Sequence, residues 1–478
     1  MKLALNSLCS IAVFCLLSLG CHSSAASVPN PSTSDSPLVP ASSLTVETMK
    51  QYIPNRSINV QTDLQANPKS EADQSRIFQD GIDQLASQGG GYLEVPAGEY
   101  YINGVCLASH VVVRLDKEAK IHQYIPEVAI SAQKVKMNSV EQLENEHKKN
   151  KKTRSKTKES KKKIRKYNLY TFLIGSKTAP NPVEYAGIWC EDGMAKGYIP
   201  AYNNGGIRFV LINHAKHFVV SGLEIFDHKT AFCTIMTGGV QPNPSTYIPV
   251  SDGYIGNIVS HNCHFGYGLV QAQGGRDIHF ENLSSEGGVA LRLETGATAI
   301  SDDTAGTLFH ITGRHIYCKN GDKAVMISPH TNKNGIVQIE DVVAESCGFG
   351  VHIGLGFVNK KNAALYPGIT VGTFAKGSYV RNVEVIHGNH AQIRNREIRC
   401  LILNEPSKVP QSYKEHYLPF SNSVFTEDVP SIAPVLYTAH DYEVELSNVT
   451  WKGFKYLKDL PFQRNKKNGE VDTPKKYW

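Results

Sequence analysis

Short strand-like runs recur along most of this chain, with glycine or asparagine at the corners between them, and the repeat length is irregular. Val111 to Leu115, Phe209 to Ile212, Phe218 to Val220, Ile278 to Phe280, Val337 to Ile339 and Val380 to Ile386 are examples. A run of this kind has one apolar side and cannot bury it alone. Stacking each coil on its neighbours solves that problem, so the pattern predicts an all-β solenoid. A β-sandwich is the alternative, whereas a propeller calls for a steadier blade-length repeat. The 39 glycines in 478 residues suit a fold with many corners.

The two ends and one internal stretch depart from this pattern. Residues 1–20 read as an export signal, with Lys2, an apolar run from Ile11 to Leu19, and then Gly20-Cys21. Leu17 to Cys21 resembles a loose bacterial lipobox, which makes Cys21 a candidate for lipidation and the only expected link to a membrane. The apolar run is shorter than the ~20 residues a spanning helix needs. Residues 22–65, rich at first in Ser, Pro and Ala, read as a flexible tether. A β-solenoid domain is expected over 66–460 and a charged tail over 461–478. Between Lys148 and Lys166 stand twelve Lys or Arg and a single acid, Glu159, so the chain's net +6 is a local property. This insertion, about 134–168, reads as a solvated loop or as a polyanion-binding arm. A second irregular region covers about 387–440. No nucleic-acid reading motif accompanies the basic run, and nucleic acid is not an expected partner. Beyond Cys9, Cys15 and Cys21, seven cysteines remain, with no metal-ligand spacing. Cys318 and Cys347 are placed so that one coil of a solenoid brings them close.

Three blocks in the middle of the chain carry the chemistry. GYGLVQ ends at Gln271, SEGGVALRLET runs from Ser285 to Thr295, and SPHTNKNG runs from Ser328 to Gly335. Along a strand side chains alternate, so Arg292, Glu294 and Gly296 share one face while Leu291, Leu293 and Thr295 take the other. The three blocks resemble, in order, those of the iota-carrageenases of glycoside hydrolase family 82. Nearer the N-terminus, a short helix expected over Asp73 to Leu85, with Ile77, Ile82 and Leu85 on one side, is followed by Gly89-Gly90-Gly91, Tyr92 to Val95 and Pro96-Ala97-Gly98. That order is similar to the opening of many carbohydrate-active right-handed β-helices.

The resemblance implies a right-handed parallel β-helix with an N-terminal capping helix, acting as a monomer on iota-carrageenan, a sulphated red-algal galactan. It implies endo-hydrolysis of β-1,4 bonds with inversion, and calcium, sodium or chloride as bound ions. Glu294 matches the family's general acid, Arg292 a substrate-side arginine, and Gln271 and His330 groups of the active cleft; Lys333 is a candidate partner for sulphate. An inverting hydrolase also needs a base, with the two carboxyl groups about 6.5–9.5 Å apart. The family carries an aspartate two residues after its acid, and here that residue is Gly296. Three accounts follow. Asp302, Asp303 or Glu286 supplies the base; or Gln271 and His330 position a water without one; or the protein binds the polymer and turns it over slowly. A non-catalytic carrageenan-binding lipoprotein and a polysaccharide lyase are the rival functions. An arginine beside Glu294 lowers its pKa and burial raises it, and sequence does not decide between them.

Overall fold

The computed structural model describes residues 38–125, 170–175, 181–201, 206–243, 246–295, 308–358, 367–394 and 425–454, with short pieces at 363–364, 415 and 462–463. The signal, Cys21 and the Lys-rich insertion lie outside the described residues, as does nearly all of the tail.

The described strands form a parallel β-helix with three ladders. The first ladder begins with Ser57–Asn59, Gly91–Val95, Val111–Leu115 and Val183–Trp189, and ends with Tyr379–Ile386 and Glu445–Lys452. The second starts at Gly98–Ile102, Ala119–Gln123 and Ala195–Ile199. The third runs through Val105–Leu107, Tyr170–Gly175, Arg208–Asn213, Cys233–Thr237, Lys323–Ser328, Phe349–Ile353 and Ala433–Tyr437. In the middle coils separate strands merge, so that Ser251–Ala272 and Gly275–Glu294 each pass through all three ladders. Every ladder pairing is parallel, as a helix of coils requires and a meander or propeller does not.

Side-chain columns fill the interior. Ile188, Val220, Ile255, Phe280, Gly313, Ile339 and Val380 lie in register, and the apolar ones are fully buried. Gly313 follows Phe280 because a Cβ there would lie 3.0 Å from Ile339 Cδ1 and 3.6 Å from Phe280 Cβ. A second column sits at the corner between the first and second ladders. Asn257, Asn282, Asp341, Asn382 and Asn448 adopt φ of 48–54° or 55°, a left-handed bend that asparagine tolerates. Asn448 Nδ2 donates to Asn382 Oδ1 at 2.9 Å, and Asn382 Nδ2 donates to Asp341 Oδ1 at 3.0 Å. Asn382→Val places a β-branched residue at positive φ and deletes both bonds, and should cost about 2–3 kcal/mol in urea denaturation. Asn382→Gly keeps the bend and should cost about half as much.

The capping helix spans Ser75–Ser87 and buries Phe78, Gly81, Ile82 and Leu85, while Ile77 is only half-buried. It lies against Leu93, so closely that a Cβ on Gly81 would be 2.6 Å from Leu93 Cδ1. Three expectations about boundaries are corrected. The tether is overturned from residue 38 onward: Leu44, Met49 and Ile53 pack over Tyr92, Val112, Trp189, Val219 and Tyr254 on the outer face of the first ladder. Those outward apolar side chains need a cover, and the N-terminal arm supplies it; Ala41 N donates to Thr312 Oγ1 at 2.7 Å, farther along the same face. The irregular region ends sooner than residue 440, since Ala433–Tyr437 is a third-ladder strand. Phe462 and Gln463 extend that ladder into the stretch read as tail. Cys318 and Cys347 are neighbours as the spacing suggested, with Cys347 Sγ donating to the Cys318 carbonyl at 3.2 Å. Neither forms a disulfide, nor do Cys106, Cys190, Cys233 and Cys263.

Candidate active site

The end of Gly275–Glu294 lies in the third ladder between the end of Ser251–Ala272 and Lys323–Ser328. Leu291 and Leu293 point into the core and are fully buried. Arg292 and Glu294 therefore face outward, and Gln271 stands beside Arg292 on the preceding rung. The strand bearing Gln271 comes this close because Gly268 has φ 118°; a Cβ there would lie 2.1 Å from the Val289 carbonyl oxygen.

Four of the expected site residues meet at one carboxylate. Arg292 Nη2 lies 2.5 Å from Glu294 Oε2, and Gln271 Nε2 donates to the same oxygen at 2.9 Å. His330 Nε2 is 3.1 Å from Oε1, the other oxygen. Arg292 also donates to the Gly266 carbonyl, and its Cζ lies 5.4 Å from the Tyr267 ring centroid. Arg292 and Glu294 are both nearly inaccessible, at 6% and 7% exposure.

His330 is held from below by its loop. Its ring packs on Phe357 at 4.4 Å, and its carbonyl accepts from Phe357 N and Gly372 N. Asn334 clamps the segment: Nδ2 donates to Thr295 Oγ1, to the Asn332 carbonyl and to the Thr373 carbonyl, while Oδ1 accepts from Leu308 N. Sequence reasoning missed Asn334 as a positioning residue, although it stands inside the SPHTNKNG block that flagged His330. It also missed Arg394, which donates to the same Gly266 carbonyl at 2.8 Å and faces the buried Asp322–Lys323 pair. Arg394 ends a short strand, Ala391–Arg394, in a region without strand periodicity, so no local signal points to it.

The contest over Glu294 is decided by its neighbours. Burial pushes the pKa up, but Arg292 and His330 outweigh it and hold the carboxyl well below the usual carboxylate range. A depressed folded pKa contributes stability that is present above the unfolded value near 4.5 and lost as pH falls through the folded value. Arg292→Met leaves a buried carboxylate without its cation, and should cost about 3–5 kcal/mol near neutral pH. Burial then raises the Glu294 pKa, so the deficit relative to the parent should shrink as pH falls through 4.5. Urea titrations at pH 7 and pH 4 test this; an equal deficit at both would deny the coupling.

The remaining candidates do not join the cluster. Glu286 is corrected: it sits on the second ladder, opposite Lys319, with its carboxylate 3.4 Å from His261 Nδ1. The strand bends between residues 286 and 294, which sends the two carboxyl groups to different faces. Lys333 is exposed on the two-residue strand Lys333–Asn334. Gly296, Asp302 and Asp303 lie outside the described residues. Among the described residues, no group of three or more His, Cys, Asp or Glu could hold a metal ion.

The chain that carries this cluster is similar in sequence and in fold to known proteins. The iota-carrageenase of Zobellia galactanivorans is 28% identical over 337 residues, covering 69% of this chain and 59% of that protein. The iota-carrageenase of Alteromonas macleodii is 34% identical over 169 residues, covering 35% of this chain and 34% of that protein. The chain is thus similar in sequence to iota-carrageenases. It spans less than two thirds of the length of either curated relative. The family 82 iota-carrageenase from A. fortis has the same fold, with a TM-score of 0.67 at 21% identity over 87% of this chain and 91% of that one. An iota-carrageenase complexed to iota-carrageenan fragments superimposes with a TM-score of 0.63 at 22% identity, over 86% of this chain and 93% of that one. No family model matches the chain.

Proposed function

We propose that this protein is an endo-acting, inverting glycoside hydrolase that cleaves β-1,4 linkages of iota-carrageenan. The observation that carries the reading is the Glu294 cluster, in a chain related to iota-carrageenases and on their fold. Glu294 is the proton donor to the leaving glycosidic oxygen. Water attacks the anomeric carbon from the opposite face as the glycosidic C–O bond breaks, releases its proton to the surrounding water, and leaves the product inverted.

The free protein holds Glu294 ionised, and a donor must first take up a proton. Arg292 resolves this: a substrate sulphate drawn to its guanidinium weakens the hold on Glu294, and burial then raises the carboxyl pKa. Gln271 and His330 orient the carboxylate, and Lys333 meets polymer charge from the exposed side. The protein acts as a monomer, exported and either secreted or anchored at an outer membrane through lipid on Cys21.

Reducing-end release from iota-, kappa- and lambda-carrageenan tests the assignment. Cleavage of iota-carrageenan alone, without ultraviolet-absorbing products, is expected. Gly296 favours a second reading, a binding protein that holds the polymer without cutting it; retention of iota-carrageenan with no new reducing ends would select it.

A further inference from the structure

Arg208 opens the strand Arg208–Asn213 in the third ladder, three rungs before the one that carries Arg292 and Glu294. Its Cζ lies 3.8 Å from the centroid of the Phe232 ring. Phe232 meets Tyr267 edge-on, with centroids 5.8 Å apart and planes at 85°, and Tyr267 is the ring beside Arg292. A single path of packed side chains thus joins Arg208 to the Glu294 cluster. Gly206 lets the Phe232 ring settle against the backbone, since a Cβ there would lie 2.1 Å from the ring.

The electrostatics of Arg208 are unusual. Its Nε is buried with no hydrogen-bond partner, yet the residue as a whole is only half-buried. Among the described residues it has no carboxylate partner. The titratable groups that act on it are Cys233 and Tyr267, and burial pushes the Cys233 thiol up to about 12, so it is uncharged near neutral pH. Burial lowers Arg208 itself to about 10, and it remains a cation. Arg292 is paired by Glu294 and Arg394 faces Asp322, whereas among the described residues nothing compensates the charge of Arg208. Such an arrangement is costly unless a ligand brings the opposite charge. A guanidinium stacked on an aromatic ring also presents its remaining donors in a fixed fork, which suits a tetrahedral oxyanion.

We infer that Arg208 is an anion subsite that takes a sulphate ester of the bound galactan, with Phe232 fixing the guanidinium and Tyr267 linking it to the cleavage site. This rests on the sulphated galactan proposed above. At ~4.8 Å per rung and ~3.3 Å per residue, Arg208 lies roughly 15–20 Å from Arg292. It therefore grips a sugar away from the bond being cut and acts on affinity rather than on chemistry.

The test uses Arg208→Met, which keeps the packing on Phe232 and removes the charge, and Arg208→Lys, which restores charge without the fork. In the full chain Arg208→Met should raise KM for iota-carrageenan about tenfold and leave kcat within about twofold. Arg208→Lys should fall between. The salt dependence of KM should also be shallower in Arg208→Met. In a Glu294→Gln background, binding of iota-carrageenan is measured by calorimetry with and without Arg208→Met, alongside thermal melting. A tenfold loss of affinity at unchanged melting temperature supports the subsite whether or not the parent cleaves, so failure of the hydrolase reading is seen separately in the parent's lack of new reducing ends. Equal affinity with and without the charge would overturn the subsite. If Arg208→Met melts early, Arg208→Lys decides: parent-like melting with reduced affinity supports the subsite, and parent-like affinity overturns it.

Discussion

Glu294→Gln is expected to lower kcat on iota-carrageenan by about 10²–10⁴-fold, the range that general acid catalysis contributes. Glutamine has the shape of the carboxyl group and can still accept from His330 or Gln271, but it has no proton to give to the leaving oxygen. The loss should appear in kcat, because the groups proposed to meet the polymer, Arg292 and Lys333, are untouched. One complication is structural. The variant leaves the Arg292 guanidinium buried beside a neutral amide, and breaking a buried pair typically costs about 3–5 kcal/mol. Circular dichroism melting must accompany the assay. A folded variant with unchanged kcat would remove Glu294 from the chemistry, and His330 would become the next donor to test.

Gly296→Asp is expected to act in the opposite direction and to raise kcat by up to about 10²–10⁴-fold. Residues two apart in an extended chain are separated by roughly 6.6 Å at Cα, close to the spacing of an inverting pair of carboxyl groups, and Gly296 itself lies outside the described residues. The substitution would return a base to the position that in this chain holds none. Single-turnover measurements on iota-carrageenan distinguish faster chemistry from faster product release. A large increase would mean that the parent runs without an efficient base. No change, with Gly296→Asp folded and binding polymer normally, would mean that water is already activated by other groups, and Gln271 and His330 are the ones already in contact with Glu294. Appearance of cleavage in a parent that only binds would identify the parent as a carrageenan-binding relative of the enzymes.

Local periodicity made part of this molecule legible. The alternation in ALRLE places Leu291 and Leu293 inside and Arg292 and Glu294 outside, and they are found so. The capping helix, the strand runs and the approach of Cys318 to Cys347 were likewise readable from spacing. The stacking register was harder to see. Ile255, Phe280, Gly313, Ile339 and Val380 form one column although the chain between them varies in length, because loops leave the helix between rungs without disturbing it. The N-terminal arm was misread for a different reason. Leu44, Met49 and Ile53 are too sparse to form a pattern, and only the apolar outer face they cover gives them a place.

The residues of the proposed site were legible along the chain. Gln271, Arg292, Glu294 and His330 sit in three ordered blocks, and strand alternation aims the carboxylate outward. Tertiary structure alone decided how that carboxylate is charged and what surrounds it. Its ionisation is the balance of burial against Arg292 and His330, a matter of a few ångströms that no spacing encodes. Arg394 and Asn334 come to the cluster from different coils, and Glu286, close in sequence, is carried away by a bend in its own strand. In a solenoid, neighbours in space are set by the stacking of coils rather than by distance along the chain.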